Sequence, residues 1–142
     1  MKKYKMIPEN NMYRIIACYD FGNVKKGEKG GLIEKEENLS CLGNAWITEN
    51  AIVSGNARVM GNAIVSGNAI VAGNAWVADN ARILDNAWVS GNAWVVGNTI
   101  VLENACITGN ARISGDARIS GNTIVVGNAN VEVSNNENNW NN

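Results

Sequence analysis

The sequence predicts an all-β protein: a parallel β-helix, in the form of a triangular solenoid of about five 18-residue coils with a small N-terminal β cap. Fifteen hexapeptides run without interruption from Gly43 to Glu132. Each follows the pattern G-N-A-x-V-x, as in Gly55-Asn56-Ala57-Arg58-Val59-Met60 and Gly73-Asn74-Ala75-Trp76-Val77-Ala78. The fifth position is Val or Ile in all fifteen, and the third is Ala in thirteen, with Thr99 and Thr123 the exceptions. A short fixed period without insertions is the mark of a stacked solenoid, in which each unit buries its apolar side only against its neighbours.

In A-x-V the side chains alternate, so Ala and Val or Ile point inward while the residue between them points out. The sixth residue also faces out, and the G-N pair turns the corner. Glycine at the first position is replaced by Glu49, Asp79, Asp85 and Glu103, whereas the second position is Asn in fourteen units and Asp116 in the other. That contrast assigns the left-handed backbone to the second position, since Asn and Asp tolerate it best among residues with a Cβ. Stacked asparagines are also expected to form a ladder along each corner. Three hexapeptides per turn make five coils, a prism about 24 Å tall at the usual strand spacing.

With that phase, every third hexapeptide stacks on the same face and the outward residues sort into three columns. The first is Trp46, Ile64, Arg82, Ile100 and Arg118. The second is Ile52, Ile70, Trp88, Cys106 and Ile124, with Ser54, Ala72, Ser90, Thr108 and Val126 beside it; none of the ten is charged. A flat uncharged strip of this kind marks an interface. The third column is Arg58, Trp76, Trp94, Arg112 and Asn130. Two tryptophans between two arginines offer either a platform for a base, sugar or peptide ring, or an aromatic pair that covers its own sheet.

A solenoid must hide its terminal strand edges. Residues 1–42 are expected to form the N-terminal cap, residues 43–132 the solenoid, and residues 133–142 an Asn-rich tail. In the cap, Tyr13 to Asp20 reads as a strand. A Gly/Lys loop follows from Gly22 to Gly31, then an acidic segment from Ile33 to Glu37, and Asn38 to Leu42 leads into the first coil. The loop does not fit G-x-x-x-x-G-K-[ST], so Lys25, Lys26 and Lys29 read as a solvated turn rather than a phosphate cradle. Six of the nine residues from Ser134 to Asn142 are asparagine, which suggests a loose tail whose Trp140 is able to fold back over the last coil.

Net charge is −1 over 142 residues, and residues 1–42 carry eight basic and six acidic side chains. The hexapeptides carry four arginines and six acids, so no basic stripe supports general nucleic-acid binding. No apolar run has the length of a membrane span, and Met1-Lys2-Lys3-Tyr4-Lys5-Met6 lacks a signal core. Cys18, Cys41 and Cys106 are odd in number and lack metal-ligand spacing, which points to reduced thiols in a cytoplasm, and no metal site or cofactor is expected. The chain contains no histidine.

The string from Arg14 to Ile47, RIIACYDFGNVKKGEKGGLIEKEENLSCLGNAWI, resembles the opening of a group of bacterial and phage proteins. They belong to the hexapeptide-repeat left-handed parallel β-helix family and are often labelled transferases by analogy of fold. The resemblance covers nearly the whole chain except the tail. It implies a left-handed coil, an exception to the usual right-handed crossover. It also implies a three-fold assembly, although a two-fold dimer is equally reasonable physically, and a phage or prophage gene product in a bacterial or phage-infected cytoplasm. Family acyltransferases use a histidine base and a projecting loop, and the γ-class carbonic anhydrases of this fold bind zinc through three histidines. This chain has neither histidine nor an inserted loop.

Catalysis is therefore not expected, and no catalytic residue is assigned. Glu49, Asp79, Asp85 and Glu103 read as corner residues rather than bases. The leading expectation is a non-catalytic binding or scaffold protein. It would self-associate as a trimer or dimer through Ile52, Ile70, Trp88, Cys106 and Ile124, and bind a protein partner such as a host factor. The alternative is a module that holds a nucleotide or sugar on Arg58, Trp76, Trp94 and Arg112. Acyl-CoA-dependent transfer ranks third.

Overall fold

The computed structural model describes residues 2–48 and 50–134. It is an all-β parallel solenoid of about six turns with a spacing of 18 residues. Each hexapeptide contributes one short strand, most of them two residues long, such as Ile52–Val53 and Trp76–Val77. Strands of the same face pair in parallel and in register: Trp46 with Ile64, Ile52 with Ile70, Arg58 with Trp76. The three outward columns are those the period gives, each on its own sheet. Inside, Ala and Val or Ile of successive coils are almost all fully buried and form one continuous core. The narrow bore explains the strict third and fifth positions, because a larger or smaller side chain would clash or leave a void.

The corners differ from expectation. Among the described residues, the left-handed residue is the first of the unit, not the second: Asp79, Asp85 and Glu103 sit at φ of 60°, 57° and 60°, and the first-position glycines are also at positive φ. Their carboxylates explain why glycine is dispensable there. Each accepts the N–H of the first-position residue one coil on: Asp79 from Gly97 (2.9 Å), Asp85 from Glu103 (3.0 Å), Glu103 from Gly121 (2.6 Å). A hydrogen bond to a charged group contributes about 1.5–3 kcal/mol, enough to offset the roughly 1–2 kcal/mol cost of left-handed backbone for a residue with a Cβ. Asparagine at the second position serves the ladder instead. Its Nδ2 donates to the Oδ1 of the residue 18 positions on, at 3.1–3.5 Å, along all three corners.

The N-terminal region is more than a lid. Strands β1 (Tyr4–Glu9) and β2 (Met12–Ala17) form a hairpin through Asn10 and Asn11, both at positive φ. Strand β3 (Lys29–Ile33) pairs antiparallel with β2 and in parallel with Ile52–Val53. Leu39 bridges in parallel to Val59 after a single 3₁₀ turn, Glu36–Asn38. Residues 31–40 thus form most of a further turn above the first hexapeptide coil. Gly30 and Gly31 are there for close approach: a Cβ on Gly31 would lie 2.4 Å from the Ala51 carbonyl oxygen, and one on Gly30 would lie 2.6 Å from Ile15. The expected strand from Tyr13 to Asp20 begins at Met12 and ends at Ala17, where Cys18 leaves the sheet after its N–H bonds the Lys3 carbonyl. The suggestion that Trp140 folds back lies outside the described residues.

Candidate interaction faces

Outside the paired strands, the backbone hydrogen bonds between coils run one way. The N–H groups of the second, fourth and sixth positions donate to the carbonyls of the first, third and fifth positions one coil on: Asn56 to Gly73, Arg58 to Ala75 and Met60 to Val77, at 2.8–2.9 Å. The N-terminal end of the stack is therefore rich in acceptors, and the C-terminal end in donors. The cap meets the acceptors closely. The Lys3 ammonium donates to the carbonyls of Ala45 (2.8 Å) and Gly43 (3.4 Å), and the Asn38 amide to those of Ala57 (2.8 Å) and Gly55 (3.1 Å). Backbone N–H groups of Leu32, Glu34 and Ser40 cover Ala51, Val53 and Val59. Lys3 is 1% exposed and lies 5.0 Å from the Phe21 ring centroid; burial pushes its ammonium down to about 8. Nothing in the composition of residues 1–42 marks Lys3 or Asn38 as special, because their partners lie 42 and 19 residues away.

On the first face, Trp46 is buried rather than outward. Phe21 packs edge-on against it (centroids 5.4 Å apart) and the cap covers it, which leaves its Nε1 without a partner among the described residues. Arg82 and Arg118 further down are exposed.

The second face holds Ile52, Ile70, Trp88, Cys106 and Ile124 in one column. Leu32 extends it by one rung, and Arg14, paired with Glu9, ends it. Ile52, Ile70 and Cys106 are half-buried, whereas Trp88 is 49% and Ile124 67% exposed. In the flanking row Ser90 bonds Thr108 (3.3 Å), so no charge enters the strip along these five coils.

The third face brings together Arg58, Trp76, Trp94 and Arg112. The two indoles stack with centroids 5.3 Å apart and planes 5° from parallel. The Arg112 guanidinium lies 4.6 Å from the Trp94 centroid and that of Arg58 lies 6.0 Å from Trp76. Beside Trp94 runs an open groove of about 530 Å³, lined by Arg112 and the corner asparagines Asn92, Asn110 and Asn128. A cleft of about 320 Å³ lies between the 3₁₀ turn and Arg58, with Glu36, Glu37 and Cys41 in its wall.

Asp79, Asp85 and Glu103 are spent on corner hydrogen bonds, and Glu49 lies outside the described residues. Among the described residues, no three His, Cys, Asp or Glu side chains come together to hold a metal. No helix among them is long and apolar enough to cross a membrane.

A family model described as YdcK beta solenoid repeat matches residues 51–67 and 111–127. The match spans 34 of 142 residues and supports a β-helix repeat family at the level of the repeat itself. The comparison with curated proteins finds no match.

Proposed function

We propose that this chain is a non-catalytic binding or scaffold protein that self-associates through its second face and presents its remaining surface to a protein partner. The observation that carries this reading is the unbroken uncharged column from Leu32 through Ile124, with Trp88 about half and Ile124 about two thirds exposed to solvent. Exposed apolar strips of this length are retained where another surface covers them. The third face supports the reading by contrast. Its indole faces are engaged by each other and by the flanking guanidinium groups, which leaves ring edges rather than platforms for a nucleotide or sugar.

The resemblance to hexapeptide proteins favours a trimer, a left-handed coil and a cytoplasmic setting in a bacterial or phage-infected cell. A host protein is then the partner to seek. The test is light scattering of the Ile70→Asp, Trp88→Asp double variant. Conversion of an oligomer to monomers supports the interface, and an unchanged mass overturns it. Nucleotide quenching of tryptophan fluorescence that disappears in Trp76→Ala would promote the ligand module. Turnover of acetyl-CoA with any acceptor would restore acyl transfer.

A further inference from the structure

The third face carries positive charge that its surroundings do not neutralise. Arg58 and Arg112 are exposed, and neither forms a hydrogen bond or an ion pair among the described residues. The acids close by are otherwise placed. Glu36 pairs with Lys2 at 2.7 Å and Asp79 holds the Gly97 N–H, while Glu37 and Glu132 form no ion pair among the described residues. Each guanidinium is nonetheless held in position. Arg112 lies over Trp94, Trp94 stacks on Trp76, and Trp76 lies beside Arg58, at separations of 4.6, 5.3 and 6.0 Å. Stacking occupies the flat of a guanidinium and leaves its N–H edge free, and it fixes rotamers that a partner would otherwise have to order. The two cations are thus preorganised three coils apart, about 14 Å at the usual strand spacing. Between them each indole is 38% exposed. Tryptophan and arginine are the side chains in which binding energy concentrates at protein interfaces.

This arrangement fits a partner that repeats the spacing in opposite charge. In an extended segment, residues i and i+4 lie on one side about 13 Å apart, with i+2 between them. An α-helix fits less well, since its same-side residues fall about 10.5 or 16.5 Å apart. We propose that the third face docks an extended segment of another protein, laid along the solenoid axis, with acids at i and i+4 and an apolar residue at i+2. One carboxylate accepts from the Arg58 guanidinium edge and the other from that of Arg112, and the apolar side chain packs on the indole edges between them. The groove of about 530 Å³ beside Trp94 takes the segment's backbone. In its wall, Asn92 and Asn110 each spend one amide N–H on the corner ladder and keep a second for a carbonyl of the segment. This docking rests on the reading of the chain as a protein that presents a surface to a protein partner, and it is independent of self-association through the second face.

The test titrates the full chain with the peptide Glu-Ser-Leu-Ser-Glu, blocked at both ends, and follows the indole N–H NMR signals of Trp76 and Trp94. Both are expected to shift saturably. Gln-Ser-Leu-Ser-Gln should bind at least tenfold more weakly. Ser-Glu-Leu-Glu-Ser, whose acids are too close together to span the arginines, should bind at least fivefold more weakly. Arg112→Gln should weaken binding of the first peptide at least fivefold. The Ile70→Asp, Trp88→Asp variant should bind it normally, so failure here and failure of the second-face interface, which light scattering reads, are separate results. No shift at either indole, equal binding of the three peptides, or unchanged binding by Arg112→Gln overturns the proposal. Tighter binding of a helical peptide with its acids eleven residues apart overturns the extended form. An affinity that rises as the protein is diluted also overturns it, because the face then belongs to a second copy.

Discussion

The two ends of the solenoid are built from the same hexapeptide and the same hydrogen-bond polarity, yet among the described residues one is closed and the other open. At the N-terminal end, seven coil carbonyls meet donors from the cap, two of them supplied by a buried ammonium and two by a single amide. At the C-terminal end the donor rows stop without a counterpart among the described residues. Stability in a repeat protein is a sum of units and the interfaces between them, so its ends decide where fraying starts. The contrast predicts that this stack frays from its C-terminus and that its N-terminal turn is the firm one.

The largest effect should come from Asn38. Its Oδ1 accepts the N–H groups of Glu34 and Lys35 at 2.9 Å each, while its Nδ2 serves Gly55 and Ala57. Asn38→Leu keeps the forked heavy-atom shape and strands four buried or part-buried polar groups, which should cost about 2–4 kcal/mol in urea unfolding. Asn128→Leu, at the open end of a corner ladder, should cost under about 0.5 kcal/mol. Equal losses would mean that the two ends are equivalent after all.

A smaller contrast lies in the bore. Val53 is fully buried beneath β3, and Val125 is 7% exposed at the last coil. Val→Ala removes two methyl groups, a loss of about 2 kcal/mol where the cavity cannot collapse. At Val125 water and the open edge relieve part of that, so about 1 kcal/mol is expected. Native-state hydrogen exchange should show the same order, with Val125→Ala accelerating only the last coil. Global acceleration in that variant would contradict fraying from the C-terminus.

What the sequence reveals of this contrast follows from where each signal sits. The solenoid, its three columns and the Trp76–Trp94 pair are legible because each depends only on a period of six and its multiple of eighteen. The further turn is hidden because its period slips: Leu32 pairs with Ile52 and Leu39 with Val59, each twenty residues apart. The hairpin of β1 and β2 turns on Asn10-Asn11, which lacks the glycine that usually signals a two-residue turn. The left-handed corner position is not legible because substitution by acids at the first position reads as freedom from positive φ. In the fold the acids are tolerated at positive φ through bonds to the next coil, which no single unit displays. Lys3 and Asn38 act through carbonyls that belong to the repeats, so their role appears only once the stack has polarity.

The last predicted effect concerns that buried ammonium and has a definite sign. Burial lowers Lys3 to about 8 from an ordinary 10.5. Between those values the unfolded chain still holds a proton that the folded chain has shed. Raising the pH from about 8 toward 10 therefore favours the folded state, by about 2 kcal/mol, with little change from this group well below 8. Tyr4 acts in the opposite sense above its ordinary 10. Its buried hydroxyl, which donates to the Leu39 carbonyl at 2.8 Å, is held protonated by burial and by the nearby Cys41 and Glu36, so the folded state loses ground there. Urea midpoints should rise between pH 8 and 10 and fall beyond. Lys3→Met should flatten the rise and Tyr4→Phe should remove the fall. A rise that persists in Lys3→Met would place its origin outside the cap and would leave the Ala45 and Gly43 carbonyls as the only measure of what Lys3 contributes.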